Sequence, residues 1–334
     1  MISVIIPLYN VEDYIEACLD SFELQSKNVE FEIIIINDGS TDGSLEIVER
    51  YIKQSELKII IISQANAGVS SARNRGIDEA NGKFICFVDS DDLVQNNYLG
   101  SMLDIIENKD CDMVICATSS VEEEFVLIGN NQSSSPINLK IMNSNEALNG
   151  FLENKFTTGV WSLLIKKSIL LDNNLRFSDG FKYSEDLEMV WKMIASSDLI
   201  ALTSEPLYIY RIRNGSAMSY VDERRMDGLK LMQALEKYFQ DKNPVFYLEF
   251  KKYGVARWVW STIWQVAVAS VNYNAFSNFL KDINTRKYMK SLLSFSQTKV
   301  KVSAFLYLVS PSVYFIIAKV KGKERLKRKI NSIT

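Results

Sequence analysis

The sequence predicts an α/β fold built on a doubly wound, mostly parallel sheet with helices on both faces. Two apolar, β-branched runs, at 33–36 and 84–88, stop abruptly in the aspartate-rich strings NDGSTDGS and DSDD. A continuous apolar run without alternation is typical of a strand buried on both faces, as in a parallel sheet covered by helices. Strand and helix patterns also alternate at short intervals over residues 2–116, which favours right-handed β-α-β crossovers.

Each element follows from its own stretch of sequence. The apolar runs predict strands at 2–7, 31–37, 57–63, 84–88 and 112–116. Between them, helical spacing predicts helices at 12–25, 42–54, 69–80 and 97–108. Two helix starts are marked by capping residues, namely Ser40 or Thr41 and Asn96 or Asn97.

Beyond residue 116 the pattern changes twice. Residues 117–144 are polar and irregular, which predicts a variable hairpin or loop. Mixed patterns follow to about 220, and almost continuous helical patterns begin beyond 222. We therefore expect a sheet domain at 1–220 and a helical C-terminal region at 221–334.

The composition is that of a globular, reduced protein. The 334 residues are 47% hydrophobic and 24% charged, which excludes a disordered or coiled-coil chain. The four cysteines show no paired metal-ligand spacing, so we expect reduced core residues of a cytosolic protein. The opening residues MISVIIPLYN lack a basic region and a small-residue cleavage site, so no signal peptide is predicted.

An apolar segment precedes a basic tail near the C-terminus. Residues 302–318 carry no charge, and residues 319–329 contain seven basic side chains and one acid. Seventeen residues interrupted by Pro311 are short for a bilayer span. The pattern favours a helix lying in the plane of the inner membrane surface, with cationic anchors for anionic lipid. The alternative is a C-terminal core helix that packs on the domain.

The aspartates after the fourth predicted strand indicate a site for a hard cation. Asp89 and Asp91 would project to the same side of an extended strand end, so both carboxylates could meet one ion. The chain contains no histidine, and oxygen ligands alone suit Mg²⁺ or Mn²⁺ beside a phosphate-bearing substrate. In the alternative interpretation, Asp91 or Asp92 only caps the next helix.

Two more polar residues are predicted at the same edge of the sheet. Asp38 follows the second predicted strand, although Asp and Gly in NDGSTDGS also suit a simple turn. Arg73 lies in the first turns of the helix that follows NAG, where its planar fork could engage phosphate. The alternative for Arg73 is a solvated surface arginine.

Four motifs together resemble a known family. SVIIPLYN, NDGSTDGS, NAGVSSARNRG and FVDSDD, in this order and spacing, are similar to the signature of family 2 glycosyltransferases. The resemblance is strong over about residues 1–116 and fair to about 220. It implies the GT-A fold, a nucleotide-sugar-binding fold with one Rossmann-like sheet, to which this chain would add its helical C-terminal extension.

The resemblance also implies roles in donor binding. Pro7 and Tyr9 would line the nucleobase pocket, and Asp38 would accept a hydrogen bond from the uracil imide. Arg73 would support the base or the phosphates.

The resemblance further implies a Mn²⁺ or Mg²⁺ ion. Asp91 would be its principal ligand, and Asp89 would contact the metal or the ribose.

A second acidic group, YSEDLEM at 183–189, would provide the catalytic base. An inverting transferase needs a base for the acceptor hydroxyl, and without histidine a carboxylate is the natural candidate. The family pattern points to Asp186 as the base, with Glu185 orienting it or binding acceptor. The same string would also make a good acidic helix start.

Downstream segments resemble further family features. In YIYRIRNGSAMS, the resemblance implies that Arg211 binds the nucleotide-sugar, with Arg213 and Ser216 as additional candidates. The alternative for Arg211 is an exposed strand residue. Trp161 and Asp92 are assigned to acceptor binding. Where the family commonly has a lysine two positions after the tryptophan, this chain has Leu163, so the contact that lysine makes elsewhere is not assumed here.

These features predict a non-processive, metal-dependent, inverting transferase. It would move a hexosyl or N-acetylhexosaminyl group from a UDP-sugar to a glycan hydroxyl, without a nucleic-acid partner. A lipid-linked acceptor in bacterial capsule or exopolysaccharide synthesis would fit a cytoplasmic enzyme on the inner face of the membrane. The Gln-x-x-Arg-Trp motif of processive synthases is missing.

Two alternative functions remain at this point. One is a glycan-binding or scaffolding subunit that keeps the fold without turnover. The other is a sugar-phosphate nucleotidyltransferase, which would need a glycine-rich, basic loop after the first strand. Here that position holds PLYNVEDY, with no glycine and two acids.

Overall fold

The computed structural model describes residues 1–25, 29–122, 137–213 and 224–331, with side chains in these ranges except at 122 and 323–331. The chain forms two compact units. The first contains residues 1–148 and 156–214, and the second contains residues 149–155 and 215–334. The short segment 149–155 thus belongs to the helical unit. The predicted division at residue 220 places this segment in the sheet domain instead.

The strands in the described part of the chain form one mixed sheet. In chain order they are β1 (Ile2–Leu8), β2 (Phe31–Asn37), β3 (Ile59–Ser63), β4 (Phe84–Phe87), β5 (Leu93–Val94), β6 (Met113–Glu122), β7 (Leu139–Asn143), β8 (Leu163–Lys166) and β9 (Leu199–Ile212). Their order across the sheet is β3-β2-β1-β4-β8-β6-β9-β5, and β7 pairs with β9. Strands β1 to β4 are parallel neighbours, whereas β8 runs antiparallel to both β4 and β6.

Helices connect these strands. They are α1 (Ile15–Glu23), α2 (Ser44–Ile52), α3 (Val69–Glu79), α4 (Tyr98–Asn108), α5 (Ser144–Leu152), α6 (Lys167–Asp172) and α7 (Glu185–Ser196), with a 3-10 turn at Val160–Ser162. Asn97 directly precedes α4, as one of its two predicted starts required, although its side chain makes no capping hydrogen bond.

The sheet is covered on both faces, as the uninterrupted apolar strands predicted. On one face, Val4 and Ile6 of β1 share a buried cluster with Leu19 of α1 and Met102 of α4. Ile5 points the other way, where a Cβ on Gly76 of α3 would collide with its side chain. Successive residues of a strand face opposite sides, so complete burial of this run requires a helix layer on each side. The predicted α/β fold class is confirmed, in a mixed sheet where β1 to β4 are parallel and β5, β7 and β8 pair antiparallel.

The predicted loop at 117–144 is partly wrong. Strand β6 continues to Glu122 because it pairs in parallel with β9, and Leu139–Asn143 forms β7 against the same strand. The polar residues of these strands give no strand signal in the local sequence. The strands form because they pair with β9, which lies far along the chain. The NNQSSS string at 130–135 lies outside the described residues.

The second unit is helical, as predicted. Its helices are α8 (Arg225–Lys242), α9 (Pro244–Ala269), α10 (Tyr273–Leu280), α11 (Thr285–Ser291), α12 (Thr298–Val309) and α13 (Pro311–Asn331), with a 3-10 turn at Leu292–Ser294. The rings of Phe239, Phe246 and Phe250 pack together in its core. The described residues include no helix with the length and apolar character needed to cross a membrane.

The cysteines behave as predicted. Cys18, Cys86, Cys111 and Cys116 are free thiols, and all four are buried. Burial raises the pKa of Cys116 to about 12, so this thiol stays protonated near neutral pH.

Candidate active site at the carboxyl edge of the sheet

The parallel strands bring the predicted polar residues to one edge. Tyr9, Asp38 and Asp89 follow or closely follow the carboxyl ends of β1, β2 and β4, which are neighbours in the sheet. Tyr9 is 49% exposed, and Pro7 at the end of β1 is half-buried. This edge is where open α/β sheets bind their ligands.

Asp38 fastens the following loop to the sheet edge. Its Oδ1 accepts hydrogen bonds from the Gln64 amide at 2.8 Å and the Ala67 N–H at 2.9 Å. Its Oδ2 accepts from the Gly68 N–H at 2.8 Å. Gly68 has φ of +91°, a backbone conformation that favours glycine. Asp38 therefore shapes the turn into α3, and its predicted hydrogen bond with the uracil nucleobase stays a prediction.

Arg73 lies at the centre of the site. Its side chain is only 4% exposed, and its Nη2 lies 2.7 Å from Asp89 Oδ1. Its Nη1 lies 3.7 Å from Glu185 Oε1, and the Phe177 ring stacks with its centroid 5.3 Å from the guanidinium carbon. The alternative of a solvated surface arginine is wrong, because a charge buried this deeply is retained only with charged partners.

The acidic triplet does not cap the next helix. Strand β5 separates it from α4, which begins at Tyr98. Instead, Asp91 Oδ2 lies 2.6 Å from Arg213 Nε. Burial and then repulsion from Asp89 raise the pKa of Asp91, so the two carboxyl groups lie close enough to repel each other.

Asp92 is part of the scaffold. It is 1% exposed, and its two oxygens accept hydrogen bonds from the Tyr208 hydroxyl at 2.6 Å and the Arg211 N–H at 2.8 Å. The geometry does not support the predicted acceptor contact of Asp92, because its carboxylate has almost no surface to offer. Burial, with repulsion from Asp89 and then Asp91, raises the pKa of Asp92 to about 8.

Tyr208 was not predicted, yet it ties β9 to the acidic triplet. Besides donating to Asp92, its hydroxyl oxygen accepts a hydrogen bond of 3.3 Å from the Asp89 N–H. Tyr208 is fully buried in β9. No local signal identifies it, since the triplet lies more than a hundred residues away in sequence.

Two arginines from the end of β9 flank the site. The guanidinium carbons of Arg211 and Arg213 each lie 5.3 Å from the centroid of the Tyr14 ring. Arg211 is 5% exposed, and its buried Nε and Nη2 have no hydrogen-bond partner among the described residues. Such donors cost free energy unless a ligand satisfies them. Ser216 lies outside the described residues.

The second acidic group begins α7, close to Arg73. Glu185 and Asp186 lie in the first turn, after Ser184 in a left-handed conformation with φ of +69°. Burial, followed by repulsion from Asp186, raises the pKa of Glu185 to about 7. Burial also raises the pKa of Asp186, and one of its oxygens accepts a 2.7 Å hydrogen bond from the Leu187 N–H. The pair thus serves as a helix start and as part of the charged cluster.

Trp161 borders the site from the 3-10 turn. Its ring centroid lies 6.5 Å from the rings of Tyr208 and Tyr210, and its carbonyl accepts a hydrogen bond from the Tyr98 hydroxyl. The indole is partly buried. Leu163, at the position of the family's lysine, is fully buried in β8.

The carboxylates fit a cation that is shared with a ligand. Among the described residues, no three His, Cys, Asp or Glu side chains form a group that could hold a metal by themselves. Asp89 and Asp91 lie close enough to repel each other, and both offer carboxylate oxygens as ligands. Mg²⁺ is commonly held by one or two carboxylates together with substrate phosphates. The donor set therefore suits an ion that completes its shell with phosphate oxygens and water.

Comparison with known proteins agrees with this geometry. The sequence model for Glycosyl transferase family 2 matches residues 3–170. The glycosyltransferase EpsJ of Bacillus subtilis (strain 168) is 32% identical over 311 residues, which cover 90% of this chain and 86% of EpsJ.

Solved structures show the same fold. Residues 1–349 of Staphylococcus aureus TarS in complex with UDP-GlcNAc superpose with a TM-score of 0.62 at 21% identity, covering 98% of this chain and 92% of that one. The mannosyltransferase PcManGT of Pyrobaculum calidifontis, in complex with GDP-Man and Mn²⁺, gives 0.56 at 16% identity, covering 96% and 86%. The family model, which matches half of the chain, and the similarity to EpsJ show that this chain belongs to glycosyl transferase family 2.

Proposed function

We propose that this protein is a non-processive, inverting glycosyltransferase that moves a sugar from a UDP-sugar to a hydroxyl of a glycan acceptor. The observation that carries the proposal is the buried Arg73 guanidinium, which pairs with Asp89 on one side and Glu185 on the other. The groups assigned to the donor and to the acceptor thus meet in one cluster. Family membership provides the reaction class.

The donor would bind at the sheet edge through its diphosphate. Arg211 has buried guanidinium nitrogens without a hydrogen-bond partner in the described part of the chain, which phosphate oxygens would satisfy, and Arg73 adds a second positive charge. Tyr9 would stack on the base beside Pro7, and Asp38 would accept from the imide. The UDP-GlcNAc complex of TarS supports a UDP donor, carrying a hexosyl or N-acetylhexosaminyl group.

Asp91 and Asp89 would hold Mn²⁺ or Mg²⁺, as the Mn²⁺ complex of PcManGT supports. Such an ion neutralises charge that develops on a leaving diphosphate. Arg213 directly follows β9 and pairs with Asp91. It would contribute its charge to the binding of the same diphosphate.

Asp186 would act as the general base. Inversion requires the acceptor hydroxyl to attack the anomeric carbon from the face opposite the diphosphate, while a carboxylate takes its proton. The Leu187 N–H orients one Asp186 oxygen, and Arg73 fixes Glu185 beside it. Glu185 would orient Asp186 or bind acceptor, and Trp161 would support an acceptor sugar ring.

A lipid-linked glycan is the acceptor class that we propose. TarS is named a poly(ribitol-phosphate) β-N-acetylglucosaminyltransferase, and GgaB of Bacillus subtilis (strain 168) is named a minor teichoic acid biosynthesis protein. These names support an acceptor that belongs to a bacterial surface polymer, such as capsule or exopolysaccharide. The basic tail at 319–329 would hold a cytoplasmic enzyme at the inner face of the membrane.

The test is UDP release from a panel of UDP-sugars with Mn²⁺, Mg²⁺ or chelator. We expect metal-dependent turnover of at least one sugar, and a loss of about a hundredfold or more in Asp91→Asn. Asp104→Asn, an exposed aspartate of α4, is the matched control and should retain activity. Tight UDP binding without turnover of any sugar, even with acceptor glycans added, would instead support a scaffolding subunit.

A further inference from the structure

Helices α12 and α13 each expose an apolar stripe. On α12 and α13 the stripe residues recur at intervals of three and four, which keeps them on one helical face. The exposed stripe residues are Val302, Phe305, Val309, Val313, Ile316 and Val320. Phe305 is 61% exposed and Ile316 is 60% exposed, although both are large apolar side chains that cores usually bury.

The opposite face of each helix packs on the second unit. On α12 the buried residues are Ala304 and Tyr307, and the Tyr307 hydroxyl donates to Thr285 Oγ1 at 3.0 Å. On α13, Tyr314 and Ala318 are buried, and Lys319 Nζ donates to the Val268 carbonyl at 3.0 Å. Each of the two helices therefore has two apolar faces, one packed against the rest of the second unit and one exposed. The helices are anchored, and their exposed stripes do not arise from a displaced core element.

Charge distinguishes between the possible occupants of these stripes. Residues 319–329 continue α13 directly and contain seven basic residues against one acid. A neutral apolar face that runs into a strongly basic stretch matches the boundary between acyl chains and anionic headgroups. Ser310 separates α12, which ends at Val309, from α13, which begins at Pro311. Within the described part of the chain, neither helix is long and apolar enough to span a bilayer.

We propose that the exposed stripes of α12 and α13 form a membrane-binding surface that lies in the plane of an anionic lipid bilayer. The stripe side chains enter the acyl boundary, and the basic continuation of α13 binds the headgroups. This inference deepens the lipid-proximal acceptor proposed above and rests on that proposal for its biological setting. Binding itself needs neither donor nor acceptor.

The test is vesicle sedimentation of the full chain. Vesicles of phosphatidylcholine alone are compared with vesicles that also contain phosphatidylglycerol. We expect binding to the anionic vesicles that weakens with added salt, because headgroup contacts are screened. Phe305→Glu and Ile316→Glu should each lower partitioning by about tenfold or more, since a charge replaces an inserted apolar side chain.

Leu248→Glu is the matched control. Leu248 is 69% exposed on α9 of the same unit, outside the stripes, so its substitution should leave vesicle binding intact. Circular dichroism of each variant checks that it folds. UDP release in solution should be unchanged in all three variants, so loss of vesicle binding is distinguished from failure of the proposed activity. Equal binding by Phe305→Glu and wild type, or a wild type that ignores anionic vesicles and dimerises through these residues, overturns the proposal.

Discussion

The Arg73 guanidinium and the Asp89 carboxylate form a partly buried ion pair, with Arg73 Nη2 2.7 Å from Asp89 Oδ1. The same guanidinium reaches Glu185, 3.7 Å away on α7. One side chain from α3 thus joins the acidic triplet after β4 to the acidic start of α7. A lysine could not make both contacts equally well, because its single ammonium lacks the planar fork of arginine.

The first prediction concerns this fork. Arg73→Lys keeps the charge but loses the two-sided contact, so we expect kcat/KM for UDP-sugar turnover to fall by about tenfold to a hundredfold. Arg75→Lys is the control, because Arg75 is exposed on the same helix and pairs only with Glu79 in the described structure. Steady-state UDP release measures both. Equal activity of Arg73→Lys and wild type would show that the pairing is structural only.

The second prediction separates the two carboxylates of α7. Asp186→Asn should lower kcat for transfer by about a hundredfold or more while leaving UDP affinity unchanged, because a base acts on the acceptor and not on the nucleotide. Glu185→Gln should have a smaller effect. Calorimetry gives the UDP affinity and a transfer assay gives kcat. If Glu185→Gln shows the larger loss in kcat, the roles of the two residues are exchanged.

The third prediction concerns the scaffold under the triplet. Tyr208→Phe removes the hydroxyl that donates to Asp92 and accepts from the Asp89 N–H. Because the buried carboxyl group of Asp92 then loses a partner, we expect the free energy of unfolding to fall by about 1–3 kcal/mol. Urea titration measures this change. Tyr210→Phe, two residues along β9, is the control, and a similar loss there would point to general damage to the strand.

The fourth prediction is a pH dependence of stability that depends on Glu185. Its pKa is about 7 in the folded protein, against an ordinary value of 4.5. Between these values the folded state retains a proton that the unfolded state releases, so the contribution of Glu185 to stability falls as pH rises from 4.5 to 7.

Glu185→Gln removes this titration. Above pH 7 the variant should be more stable than wild type, by an amount on the order of 3 kcal/mol, and this advantage should vanish toward pH 4.5. Denaturant titrations of both proteins across this range measure it. A stability difference that stays constant with pH would show that Glu185 titrates normally.

Local patterns are sufficient to predict the strands that carry the proposed donor site. The uninterrupted apolar runs of β1, β2 and β4 identify buried parallel strands, and the polar residues after them fall at one edge of the sheet. Motif spacing then located Arg73 and Glu185, although it did not indicate that they touch.

The residues that local patterns do not predict are positioned by pairing between strands that lie far apart in the sequence. Tyr208 reaches Asp92 only because β9 pairs with β5 and β6, and neither pairing leaves a signal in the sequence around 208. For the same reason the burial of Asp92 was missed, and an acceptor role was assigned to a carboxylate that holds the scaffold together.

The most direct measurement is the position of the metal in a crystal grown with UDP and Mn²⁺, located by anomalous scattering. We expect one Mn²⁺ peak at coordination distance from Asp91, adjacent to Asp89 and in contact with the UDP diphosphate. A Mn²⁺ peak or a diphosphate bound away from these two carboxylates would contradict this expectation.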